Sequence, residues 1–298
     1  MRGVLLVDKP SGMTSHDVVD RIRRAAGTRR VGHTGTLDPA ATGLLILCLG
    51  EATRLSDFLT GLAKEYEGTL RFGLVTDSYD LDGKVVEERP VPDLSEAEIQ
   101  KTFDQYTGDI LQLPPMVSAV KINGERLYKA ARRGEVVVRE PRPVTVHEFS
   151  LLGYNAPDAQ FRVRCTRGTY ARTLCYDVGE ALGCGGTLAA LRRTAVGAHR
   201  VENAAPVDAF VSLEDVASRL LRPEDALDLP AIVVKAASRR TVVDGGTLDQ
   251  NDWIGRLPVE QGWLQVKTET GALLAVGEVR PTPHGLTVQP RRVIAGPR

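Results

Sequence analysis

Gly32-His33-Thr34-Gly35-Thr36-Leu37-Asp38-Pro39-Ala40-Ala41-Thr42-Gly43 holds a single carboxylate between two glycine-bounded turns. Pro39 fixes its own φ, removes a backbone donor and bars the preceding Asp38 from the helical region, so the acid sits on a set loop. Leu44-Leu45-Ile46-Leu47-Cys48-Leu49 follows, an apolar run short enough for a buried strand that pins the far end of the loop to the core. A carboxylate presented in this way can act on a substrate. The plain alternative is an Asx-turn whose carboxylate caps its own backbone.

Outward from this loop, Val4 to Val7 reads as a strand. Thr14 or Ser15 can cap a helix with Val18, Val19, Ile22 and Ala26 at helical spacing and Gly27 just past its end. A second helix is expected from about Glu51 to Leu62, then a strand from Glu65 to Leu74 that puts Tyr66, Leu70 and Phe72 on one face, where Tyr66 could be a core aromatic. Thr76 to Gly83 reads as a turn. Its acids Asp77, Asp80 and Asp82 lack the glycine placement and downstream Glu of a calcium loop, so no metal is expected. Ser95-Glu96-Ala97-Glu98 is a capping box that opens a helix with Ile99 and Phe103 inward. Strands near 145–152 and 160–166 precede a helix with Leu174, Val178 and Leu182 in register, ended by Gly183. Arg172 in its first turn opposes the helix dipole and wants a local reason. Pro206 to Pro230 reads as an acidic linker helix, and the short alternating stretches between Ile232 and Val288 read as a small β domain.

A chain of 298 residues can bury a large core and is long enough for two domains. Cys48, Cys165, Cys175 and Cys184 form no CxxC pair, which argues against a zinc ribbon or a disulfide framework and suits a reducing compartment. The N-terminal apolar run is too short for a signal peptide, and no segment approaches the roughly 20 apolar residues of a membrane span, so a soluble cytoplasmic protein is expected. The formal net charge is zero, which sits poorly with binding to a phosphate backbone unless the cations are concentrated. They are: Lys121, Arg126, Lys129, Arg132, Arg133, Arg139 and Arg142 outnumber the acids of their span, as do Arg162, Arg164, Arg167, Arg172, Arg192, Arg193 and Arg200. The segment 114–143, with Tyr128 among its cations, suits either an arm closing over an RNA backbone or an ordinary amphipathic helix.

The Asp38 loop resembles the catalytic loop of the TruB family of tRNA pseudouridine synthases. The resemblance continues through Lys9-Pro10-Ser11-Gly12-Met13-Thr14-Ser15, Gly50-Glu51-Ala52-Thr53-Arg54, Lys64-Glu65-Tyr66, Thr76-Asp77-Ser78-Tyr79-Asp80, Pro114 to Lys121, Arg167-Gly168-Thr169-Tyr170-Ala171-Arg172 and Leu188 to Gly197, in the family's order. It implies an α+β fold: a mixed, largely antiparallel sheet forming a pseudouridine synthase catalytic domain over 1–228, with an RNA-binding arm at about 114–143. A small β-barrel domain over 229–298 would resemble a PUA RNA-binding module. The implied activity is isomerisation of a flipped-out T-loop uridine, position 55 of tRNA, to pseudouridine, with tRNA folding as an additional activity. By resemblance Asp38 is the catalytic aspartate, Arg172 its ion-pair partner and Tyr66 the active-site tyrosine. His33, Asp80, Lys121, Tyr170, Leu191, Arg126, Arg132 and Arg133 fall to substrate or RNA binding. The tRNA T-arm is the implied partner, with no cofactor, no metal and no obligatory protein partner, and a monomer is expected. Two positions depart from the pattern: Val117 stands where the family commonly has Tyr, and His199 where an aromatic is usual.

Overall fold

The structure is a computed structural model that describes residues 1–118, 121–122, 124–127, 133, 135, 137–283 and 285–294, with backbone only at 121, 122, 125 and 126. The strands are β1 (Gly3–Lys9), β2 (Val31–His33), β3 (Thr42–Leu49), β4 (Lys64–Phe72), β5 (Leu74–Thr76), β6 (Val85–Glu88), β7 (Gly108–Gln112), β8 (Lys121–Ile122), β9 (Glu125–Arg126), β10 (Arg142–Asn155), β11 (Asp158–Cys165), β12 (Gly186–Val196), β13 (His199–Arg200) and β14 (Ala205–Pro206). A second set comprises β15 (Ala231–Val234), β16 (Trp253–Ile254), β17 (Gly262–Lys267), β18 (Leu273–Thr282) and β19 (Gly285–Val293). The α-helices are α1 (Ser15–Ala26), α2 (Ser56–Gly61), α3 (Glu96–Gln105), α4 (Ala171–Ala181), α5 (Leu213–Ser218) and α6 (Arg239–Val243).

One large sheet runs β14-β1-β3-β12-β4-β11-β10-β7, with β2 beside β3 and β13 beside β12. Its pairs are antiparallel except β1 with β14 and β3 with β12, so the expected mixed α+β architecture is present. The five-stranded sheet β16-β15-β17-β18-β19 stands apart. Local chemistry explains the helices that the sequence predicts. Thr14 and Asp17 close a capping box at the start of α1 while Gly27 ends it in the left-handed region, and Ser95 and Glu98 do the same for the start of α3.

β3 is buried from Gly43 to Leu49 because both its faces are covered, which is why its sequence is a continuous apolar run. Leu45 and Leu47 pack with Val18 and Ile22 of α1; Leu44 and Ile46 pack with Val4, Leu6 and, from the second sheet, Leu273 and Val276. A further cluster under β4, β10 and β11 joins Leu70, Phe72 and Phe161 to α3 and α4, with Phe103 stacked on Phe149 at 3.9 Å between centroids. The second sheet has its own core around Val234, Leu264 and Val288.

Two predicted helices are not present in the predicted form. The span 51–62 is a 3-10 turn (Gly50–Leu55) followed by α2. The predicted linker helix over 206–230 is reduced to α5 and short 3-10 turns. Its prolines interrupt the intrahelical bonds, and Leu221 gives both its backbone groups to Val4, 2.9 Å each way, extending the edge of β1 instead.

Gly43 is the point where β3 meets β12. Its φ is +100°, and a Cβ there would lie 2.3 Å from the carbonyl oxygen of Arg193. Gly43→Ala should therefore destabilise the protein by about 2 kcal/mol or more, combining a strained φ with a backbone clash. Urea unfolding of the two proteins checks this, and an unchanged midpoint would contradict the close approach of the strands.

Candidate active site

The Asp38 loop is a hub of backbone contacts. Gly12 N–H donates to the carbonyl of Pro39, 2.9 Å, and Ala41 N–H closes a turn onto Asp38 O, 3.1 Å. Ser15 Oγ accepts from Leu37 N–H at 2.8 Å and lies 3.1 Å from Leu37 O. The buried Lys9 ammonium donates to Pro10 O, Met13 O and Pro39 O at 2.8, 2.7 and 3.0 Å. From below, the buried Arg193 donates through Nε to Leu44 O, 2.7 Å, and through Nη2 to Gly35 O, 3.1 Å. Both roots of the loop and the residue after the acid are thereby fixed.

The acid itself faces a guanidinium. Arg172 Nη2 lies 3.1 Å from Asp38 Oδ2, and Arg172 Nη1 lies 3.2 Å from Asp80 Oδ2. The Arg172 side chain is 5% exposed and that of Asp38 45%, so a sealed cation holds an accessible carboxylate. Arg172 also donates to Ser78 O at 3.2 Å and Val117 O at 2.9 Å. These partners are the local reason for a cation in the first turn of α4. Asp80 is half-buried, which raises its carboxyl above the ordinary range, opposed by the Ser78 hydroxyl and by Arg172.

A cavity of about 240 Å³ opens beside this pair and is lined by Asp38, Tyr66, Tyr170, Arg172, Leu191 and Arg193, among others. Asp38, Arg172 and Leu191 also line a second space of about 530 Å³, which Asp80 borders and which lies over β4, β11 and β12. The pair thus stands at the divide between a small chamber and a broader cleft. Tyr66 is half-buried and packs against the aromatic cluster while its side chain lines the chamber, so it serves as core aromatic and wall at once. Burial pushes its phenol up, with the Arg193 guanidinium opposing. Tyr170 is fixed through its backbone by the buried Gln112 side chain, which accepts from Tyr170 N–H at 2.7 Å and donates to Tyr170 O at 3.1 Å. His33 lines neither space; its Nδ1 accepts from Gly35 N–H at 3.4 Å, a contact within the loop. Arg133 is exposed and pairs with Glu135 at 2.8 Å. The side chains of Lys121 and Arg126, Arg132 and the ring of Tyr128 lie outside the described residues.

A family model described as TruB family pseudouridylate synthase (N terminal domain) matches residues 23–171, and one for the tRNA pseudouridylate synthase B C-terminal domain matches 172–233. The chain belongs to the TruB family of pseudouridylate synthases. It is 41% identical to tRNA pseudouridine synthase B of Burkholderia mallei over 298 residues, covering 99% of this chain and 97% of that protein. It is 52% identical to the protein of the same name from Opitutus terrae over 221 residues, 74% of this chain and 92% of that one. Among solved structures, the chain resembles one in a Cbf5-Nop10-Gar1 complex with a TM-score of 0.75 at 26% identity, covering 98% of this chain and 85% of that one.

In this TruB-family chain the residues that sequence reasoning left without a role at the site are Lys9, Ser15 and Arg193, which grip the loop, and Gln112, which holds Tyr170. Their acceptors are mostly backbone carbonyls, which leave no mark in a sequence. The only available signal was a lysine at the end of an apolar strand and a second arginine beside Arg192 in β12. The second basic set also reads differently in three dimensions. Arg162 pairs with Glu67 on the neighbouring strand β4, while Arg192 reaches Asp8 of β1 across β3 and Arg200 reaches Glu65 of β4 across β12, at 2.7, 2.7 and 3.0 Å. With Arg172 and Arg193 buried, Arg164 and Arg167 are the exposed cations of that set that have no ion pair among the described residues.

Burial lowers the Lys64 amine to about 8, with Arg193 adding to the effect; it lowers Lys9 to about 8 as well, with Asp38 opposing. The folded protein therefore sheds these protons near pH 8, while the unfolded chain keeps them up to the ordinary value of 10.5. Across that window the unfolded state binds more protons, so stability from these groups rises with pH and is smallest below pH 8. The unfolding free energy of wild type relative to Lys64→Met should grow by on the order of 1 to 2 kcal/mol between pH 7 and 9.5, measured by urea titration. A difference that stays flat would show that Lys64 keeps its proton when folded.

Proposed function

We propose that this protein isomerises a uridine of tRNA to pseudouridine, the T-loop uridine at position 55, with Asp38 as the group that starts the reaction. The observation that carries the reading is the exposed carboxylate of Asp38 held by the sealed Arg172 at the mouth of a chamber walled by Tyr66 and Tyr170. The conversion breaks the C1′–N1 bond, turns the base and forms C1′–C5; the proton on C5 leaves and N1 regains one, so atoms balance within the substrate and water. A carboxylate fits this need either as a nucleophile or as a base, and both require it ionised and accessible. Arg172 pairs with Oδ2 while the Asp38 side chain as a whole stays 45% exposed.

The uridine must leave its stack before it reaches Asp38, at a cost of a few kcal/mol. The chamber offers two aromatic side chains beside the acid for the displaced base, and stacking on such rings is how unstacked bases are commonly held. Tyr66 is the stacking partner in this reading and helps remove the C5 proton. The broader cleft over β4, β11 and β12 would take the flanking nucleotides. Exposed Arg164 and Arg167, with the 114–143 arm, would meet phosphates. Residues 1–228 then form the catalytic domain and 229–298 a PUA-like module that adds RNA contacts, the whole working as a monomer.

Incubating the purified chain with unmodified tRNA and mapping pseudouridine tests the activity. Asp38→Asn keeps the shape and removes the charge, so it should abolish product while tRNA affinity stays within about tenfold, or about 1.4 kcal/mol. Retained turnover would remove Asp38 from the chemistry. Tyr66→Phe should lower the rate more than the affinity; equal losses in both would leave Tyr66 as a core aromatic only.

A further inference from the structure

Ser78 O and Asp80 Oδ2 both reach the same nitrogen of Arg172, Nη1, at 3.2 Å each. Tyr79 stands between them with a φ of +65°, the one non-glycine residue with positive φ among the described residues. For a bulky side chain this is an outlier, and such strain persists where the surroundings hold it and the site uses it. Here the use is visible: the left-handed kink lets the carbonyl of one residue and the carboxylate of the next but one face a single guanidinium nitrogen.

Several contacts hold the kink. The Tyr79 ring stacks on Tyr176 of α4, the helix that carries Arg172, with centroids 4.2 Å and planes 21° apart. Tyr79 O accepts from Leu188 N–H at 3.0 Å and Leu81 N–H donates back to Leu188 O at 3.2 Å, fastening the turn to β12. Thr76 Oγ1 donates to Asp80 O at 2.7 Å, and Ser78 Oγ donates to Asp80 Oδ1. Burial raises the Tyr79 phenol, and the neighbouring Arg139 guanidinium, hydrogen-bonding the ring hydroxyl, acts against that. Arg139 in turn donates through Nη1 to Pro114 O, 2.9 Å. Pro114 and Arg139 are the two roots of the 114–143 arm, and the same near root supplies Val117 O to Arg172 Nη2 at 2.9 Å.

We propose that Tyr79 is a positioning residue: clamped between Tyr176 and Arg139, it holds the Ser78–Asp80 turn on Arg172 and ties the Asp38–Arg172 pair to both roots of the arm. A segment that meets RNA is then mechanically continuous with the cation that presents Asp38. Arg172 Nη2 answers to the near root through Val117, and Nη1 answers to the far root through Arg139, Tyr79 and the turn. This rests on the reading of Asp38 and Arg172 as the reactive pair.

The test is single-turnover conversion of saturating unmodified T-arm RNA, with RNA affinity and thermal midpoint measured on the same proteins. Tyr79→Gly takes the left-handed conformation without strain, so the fold is kept while the clamp is lost. Its conversion rate should fall at least about tenfold with affinity changed less than about threefold, the signature of an interaction felt in the reaction rather than in binding. Tyr79→Phe keeps the stack and loses the hydroxyl, so its fall should be smaller. Combined with Arg139→Met it should be no slower than the slower single variant, because the two act as one link. A wild-type rate in Tyr79→Gly, a parallel loss of rate and affinity, or multiplying effects of the Tyr79→Phe and Arg139→Met changes would each overturn the proposal. Wild-type protein run beside Asp38→Asn separates the two levels: no conversion by wild type removes the functional reading and this proposal with it, whereas normal wild-type conversion leaves the Tyr79 variants to decide this proposal alone.

Discussion

The buried guanidinium of Arg172 is the constraint to which the rest of the site answers. A cation taken out of water costs several kcal/mol unless charges and acceptors surround it, and stripping one partner from such a group is more harmful than replacing the whole set. Arg172 meets that demand with two carboxylates and two carbonyls drawn from three segments: Asp38 after β2, Ser78 and Asp80 after β5, and Val117 at the near root of the arm. No two of these segments need to meet for packing reasons alone. Satisfying one guanidinium brings them together, and α4 fixes where that guanidinium stands.

Asp38 is presented by the opposite strategy. Its own loop is irregular, so its backbone polar groups must find partners outside regular ladders. Lys9, Gly12, Ser15 and Arg193 supply them from β1, the turn after it, α1 and β12. Two of these are buried cations held largely by carbonyls, a costly arrangement that is retained beside the exposed member of the Asp38–Arg172 ion pair. The proposed role of Asp38 would account for that cost, because a small misplacement of a reacting group loses rate steeply.

Much of this was legible in the sequence, and the boundary of legibility has a physical cause. The cap at Thr14, the capping box at Ser95, the glycine after α1 and the apolar run of β3 act over a few residues, so local rules found them. Asp38, Tyr66, Tyr170, Arg172 and Leu191 were found through resemblance and meet in one chamber. His33 does not, because its imidazole turns back to Gly35 within the loop. The predicted helix over 206–230 failed because helical periodicity competes there with an unpaired edge of β1, which Leu221 takes up. Arg193 and Lys9 escaped notice because their acceptors are main-chain oxygens contributed by the tertiary fold.

The charge count misled for the same reason. Comparing cations and acids within one span assumes that partners are near in sequence, yet Arg162, Arg192 and Arg200 find Glu67, Asp8 and Glu65 on other strands of the sheet. A sheet places residues of distant spans side by side, so a net basic stretch of sequence becomes a neutral ladder on its face. Net neutrality and RNA binding are then compatible: Arg167, exposed and without an ion pair among the described residues, stands on the turn that leads into Tyr170 and Arg172 and lines the chamber. A cation at that rim concentrates attraction for phosphate beside the chamber. It also separates affinity from placement, since the cations that position Asp38 are buried and take no part in drawing in the phosphate backbone.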